Sequence, residues 1–63
     1  MTKGKALLEA RKVLGPSGHV RYKAGMPFPC VVGTFAEKWH GVSVGRTWGE
    51  ALESARQAAK KAA

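Results

Sequence analysis

Trp39-His40-Gly41-Val42-Ser43-Val44-Gly45-Arg46-Thr47-Trp48-Gly49-Glu50-Ala51-Leu52 carries a strand, a turn and a helix start in one run. Trp39 to Gly45 reads as a strand, with valines at every second position, Val42 and Val44. Strict alternation aims Val42 and Val44 at the core and Ser43, Gly41 and Gly45 away from it. Thr47 and Glu50 then form a capping box: the Thr47 hydroxyl accepts from the backbone three residues on, and Glu50 reaches back to the Thr47 amide. Trp48, Ala51, Leu52, Ala55, Ala59 and Ala62 recur at helical spacing as one apolar stripe. Lys60 and Lys61 close this helix where its dipole favours cations.

Working back from Trp39, Ala36-Glu37-Lys38 is a hairpin loop between Trp39 and an apolar strand, Cys30–Phe35. That strand is apolar on both faces and belongs in the middle of a sheet. Two prolines in Gly25-Met26-Pro27-Phe28-Pro29 exclude a central strand there. His19-Val20-Arg21-Tyr22-Lys23 alternates again, with Val20 and Tyr22 on one face and His19, Arg21 and Lys23 on the other. The chain opens with a helix from Lys3 to Leu14. Ala6, Leu7, Ala10, Val13 and Leu14 form its stripe, Thr2 caps it, and Gly15-Pro16 stops it. Lys5 and Glu9 stand one turn apart and can pair.

The sum is an α+β fold: a two-layer α-β-β-β-α domain over residues 1–63, a three-stranded antiparallel sheet with both helices on one face. The expected core is Leu7, Ala10, Leu14, Val20, Tyr22, Val32, Val42, Val44, Leu52, Ala55 and Ala59. So short a chain buries only about 60% of its unfolded surface and is marginally stable.

Eleven Lys and Arg face four Glu and no Asp, a net charge of +7 on 63 residues. Such a field attracts polyanions and repels copies of itself, which favours a monomer. With 44% apolar residues the chain is too apolar for a disordered tail. No apolar run approaches a membrane span. No continuous apolar stretch follows the basic start Met1–Lys5, against a signal peptide. The single cysteine, Cys30, cannot form an internal disulfide, and a cytoplasmic protein is the default expectation.

No catalytic constellation is visible. The carboxylates are spread over two helices and a loop, and no acid is fixed beside His19 or His40. Cys30 in its apolar run is a core residue rather than a nucleophile. His19, His40 and Cys30 fit no metal-ligand spacing, and no glycine-rich phosphate loop is present. We therefore expect no enzyme, no cofactor and no metal.

The basic residues are more informative. His19, Arg21 and Lys23 share the strand face that helices should leave uncovered, with Trp39 and Ser43 beside them. This suits phosphate contacts plus a stacking platform, or equally a solvated face whose charge discourages edge pairing. Lys3 and Lys5 oppose the dipole of the first helix, a conflict that a bound phosphate would relieve or that an exposed first turn simply tolerates. Arg11 and Lys12 extend that ridge, and Arg56, Lys60 and Lys61 can continue it on the last helix. Met26, Phe28 and Trp39 form either an exposed apolar patch for a protein partner or the closed end of a small core.

In element order the chain resembles the double-stranded-RNA-binding domain family. The local likeness lies in Gly45-Arg46-Thr47, Glu50-Ala51 and Arg56-Gln57-Ala58-Ala59-Lys60-Lys61. The resemblance implies duplex-RNA recognition through the first helix, the loop between the first two strands, and lysines opening the last helix. Here Trp48, Gly49 and Glu50 stand where that family has lysines, and the Gly25–Pro29 loop lacks its histidine. The stretch Gly45–Ala55 is also similar to the strand-to-helix step of HicB-type antitoxins, which implies a small protein partner. By shape alone the chain is similar to the arm-binding domain of tyrosine integrases, which lays a three-stranded sheet in the DNA major groove. The expected function is a non-catalytic nucleic-acid-binding accessory protein that contacts mainly phosphates, using Lys3, Lys5, Arg11, Lys12, His19, Arg21, Lys23 and Trp39. The competing expectation is an antitoxin-like adaptor or inhibitor for an acidic protein.

Overall fold

The computed structural model describes residues 1–62. Helix α1 (Lys3–Leu14) leads into strands β1 (Gly18–Tyr22), β2 (Cys30–Phe35) and β3 (Trp39–Gly45), and helix α2 (Trp48–Ala62) follows. The strands pair antiparallel in the order β1-β2-β3. Both helices cover one face of the sheet and pack on each other. This is the two-layer α+β architecture expected from the sequence, with the first strand starting one residue early.

The helix starts follow their capping residues. The Lys5 amide donates to the Thr2 hydroxyl at 3.2 Å, and the Glu50 amide donates to the Thr47 hydroxyl at 3.2 Å. Gly15 ends α1 at φ 86°, where its N–H reaches the Arg11 carbonyl, a conformation that costs a residue with a Cβ. Glu9 pairs with Lys12 at 3.3 Å rather than with Lys5.

Small residues bring the layers together. Ala6 and Ala10 of α1 and Ala51 and Ala55 of α2 are fully buried against Val20, Cys30 and Val32, with Leu52 beside them. A Cβ on Gly18 would lie 2.5 Å from the Ala10 carbonyl oxygen, and one on Gly45 would lie 2.5 Å from the Ala51 nitrogen. Backbone thus approaches backbone at both ends of the helical layer. The core is correspondingly small: Val20 and Val32 are its largest fully buried side chains. Leu7, Val13, Leu14 and Trp48 close its rim half-buried, as Ala59 does further along α2.

Three expected core residues lie outside it. Val42 and Val44 are exposed, while Ser43 turns to the helices and donates to the Ala51 carbonyl at 2.7 Å. Gly45 likewise faces α2 rather than solvent. The cause is a bulge: β2 pairs Val32 with Ser43 but Gly33 with Gly41, so Val42 is an extra residue in β3. One extra residue reverses the facing of everything after it. Tyr22 is also exposed, with its ring 6.2 Å from that of Trp48. Gly18 lies under Ala10, and a strand advances about 3.3 Å per residue against about 1.5 Å for a helix. Tyr22 is therefore level with the first residues of α1, where helical cover runs out.

Candidate nucleic-acid interface

The face of the sheet turned away from both helices is a small grid. The pairing sets Phe35 beside Trp39 at one end, His19 beside Gly33 and Gly41 in the middle, and Arg21 beside Val31 and Val44 at the other end. Ser17 adjoins Phe35, whose amide donates to the Ser17 carbonyl at 2.8 Å. The middle row has two glycines and hence no side chains on two of its three strands. Trp39 leans into that trough: its Nε1 and Cγ1 of Val31 each lie 3.8 Å from where a Cβ on Gly41 would stand.

The Arg21 guanidinium lies 4.8 Å over the Trp39 ring, within cation–π range. His19 meets Trp39 edge-on at 6.0 Å and Phe35 at 6.0 Å with the rings tilted. Val31 and Gly33 are buried although no helix covers them, so these side chains form their lid. Phe35 remains 47% exposed and Arg21 is exposed, which leaves ring and guanidinium surface open to solvent. None of the four glutamates lies on a strand: Glu9 is on α1, Glu37 in the hairpin loop, and Glu50 and Glu53 on α2. The face is cationic and aromatic without a carboxylate of its own.

At the β1 rim this face continues into a cleft of about 170 Å³ lined by Arg11, Pro16, Ser17, Gly18, His19 and Phe35. Arg11 thereby reaches the sheet side from the end of α1, and it makes no ion pair among the described residues. The Lys23 amide donates to the Pro29 carbonyl at 2.8 Å, extending the ladder so that alternation sets Lys23 on the side of Arg21.

The eight residues singled out in the sequence do not form one surface. His19, Arg21 and Trp39 come together, with Lys23 and Arg11 at the margins. Lys3 and Lys5 sit exposed on the first turn of α1, in the opposite layer, and Lys12 is engaged by Glu9. The extension onto α2 is diluted as well, because Arg56 pairs with Glu53 at 3.0 Å. Phe35 was not singled out, yet its position is readable: it has the opposite parity to Val32 and so faces away from the core. Ser43 was expected on the open face, and the bulge removes it.

The other candidates hold no comparable arrangement. Cys30 is buried in the core, and burial together with the Glu50 charge pushes its thiol above the usual range. Among the described residues no group of three His, Cys, Asp or Glu could hold a metal ion, and no helix is long and apolar enough to cross a membrane. Met26 and Phe28 are exposed, with Arg46 5.7 Å over the Phe28 ring, while Trp39 belongs to the open face and not to their loop. No family model, no curated protein and no solved structure matches this chain.

Proposed function

We propose that this chain is a non-catalytic nucleic-acid-binding accessory protein that works through the uncovered face of its sheet. The observation that carries the reading is the stack of Arg21 on Trp39 beside His19 and Phe35, on a face with no carboxylate. Bases stack on aromatic rings and guanidinium planes, and phosphates are drawn by the net charge of +7. The test is a titration of labelled duplex RNA, duplex DNA and single strands at two salt concentrations. Binding must weaken as salt rises, because condensed counterions are released. Failure to bind all three at low salt ends the proposal.

A second reading has its own observation. Met26 and Phe28 are exposed beside Arg46, and Val42 and Val44 are exposed on the edge strand β3. These features suit an adaptor or inhibitor docking an acidic protein along that edge. Nuclease-resistant recovery of one stoichiometric protein partner, with no binding to any oligonucleotide, would favour this reading over the first.

A further inference from the structure

We infer that the sheet face takes unpaired nucleotides: a single strand crosses it with bases stacked on Phe35 and on the Arg21–Trp39 pair, and a phosphate enters the cleft of Arg11, Ser17 and His19. This rests on the nucleic-acid reading above and narrows it. A duplex hides its base faces and offers phosphates and groove edges, for which a protein needs cations spread along a ridge. The open face has little of that: Arg21 is the one Lys or Arg within its three strands, and its guanidinium is held over Trp39. What the face presents is ring surface. Phe35 is half-exposed, and the outer side of the Arg21 guanidinium is a second flat surface on which a base can lie.

The cations stand at the margins, where the backbone of a stacked strand would run. Arg11 lines the rim cleft next to Phe35 and His19, and Lys23 follows Arg21 at the other end of β1. Ser17 and His19, both with polar side chains, also line that cleft. A phosphate there leaves its neighbouring base within reach of the Phe35 ring. Stacking is sequence-tolerant, because every base has a flat face, so weak sequence preference follows. Ribose and deoxyribose strands share this chemistry.

The test uses oligothymidylate, oligouridylate and blunt duplexes of DNA and RNA. The protein carries Trp48→Phe, which leaves Trp39 as its single indole. Both single strands should bind at least roughly tenfold more tightly than either duplex and should quench Trp39 emission. Phe35→Ala, with unchanged circular dichroism, should weaken single-strand binding by roughly tenfold, the loss of one stacked base. Duplexes bound as tightly as single strands, with Trp39 emission unchanged, would overturn the inference while leaving the nucleic-acid reading in place. Absence of binding to every probe would overturn both.

Discussion

The Arg21 guanidinium lies 4.8 Å over the Trp39 ring although the two residues belong to opposite edge strands. Gly33 and Gly41 lie between them in the middle row and leave that stretch of the open face without side chains, so the two can meet across it. The pair has two jobs: it seals Val31 from water on the side without helices, and it presents a flat cationic surface. Trp39→Ala should therefore lower stability by about 2 kcal/mol, less than a fully buried tryptophan because Trp39 is only half-buried. Arg21→Gln should cost below about 1 kcal/mol. Urea midpoints measure both; a neutral Trp39→Ala would show that the indole covers nothing.

The two glycines of the trough differ in what they tolerate. A Cβ at Gly33 would collide with the His40 carbonyl and press on the Gly41 backbone, which cannot withdraw without undoing the bulge. At Gly41 the same atom would meet only Trp39 and Val31 at ordinary contact distance. Gly33→Ala should cost more than about 2 kcal/mol, and Gly41→Ala less than about 1 kcal/mol. Equal costs by thermal unfolding would mean that the bulge is not where the pairing puts it.

That bulge also makes a stability prediction at Ser43. Its hydroxyl donates to the Ala51 carbonyl at 2.7 Å, tying β3 to the first turns of α2. Ser43→Ala should cost about 1 kcal/mol, the usual loss for one hydrogen bond. Under strict alternation Ser43 would be a solvent-facing residue and the substitution would be silent.

Cys30 couples stability to alkaline pH. Burial first, and the Glu50 charge second, raise its folded-state pKa above the ordinary value of a free thiol. Well below that ordinary value the thiol is protonated in both states and contributes no dependence. Above it the unfolded chain releases the proton while the folded chain retains it, so folding binds more protons and stability falls as pH rises. The measurement is a difference between wild type and a variant without the thiol. The stability advantage of wild type over Cys30→Ala should shrink between pH 8 and about pH 10, and a constant advantage would refute the account.

Much of the fold was legible because local signals agreed. Thr2, Gly15-Pro16 and Thr47 bound the helices, and the prolines at 27 and 29 separate the first two strands. The facing of β3 was not legible beyond Gly41. Trp39 was placed correctly on the open face, but alternation counted from it carries Val42 and Val44 inward, and a bulge has no composition of its own. Tyr22 failed for another reason: periodicity gives a residue's face and not how far the opposing helix extends. Within the site, His19, Arg21 and Trp39 were readable from parity. The stacking of Arg21 on Trp39 was not, because it depends on the registered positions of Gly33 and Gly41.

The central claim, that the sheet face and not the helical layer meets nucleic acid, is tested most directly by salt titration of two double variants. Arg21→Gln/Lys23→Gln removes charge from the open face, and Lys3→Gln/Lys5→Gln removes the same charge from the far layer. Both are first matched to wild type by circular dichroism. For a labelled single strand, the account predicts that the sheet pair weakens binding and flattens the log-log salt dependence by about 0.7 for each phosphate no longer neutralised, while the helix pair leaves the slope unchanged. A reduced slope in Lys3→Gln/Lys5→Gln together with a wild-type slope in Arg21→Gln/Lys23→Gln would contradict it.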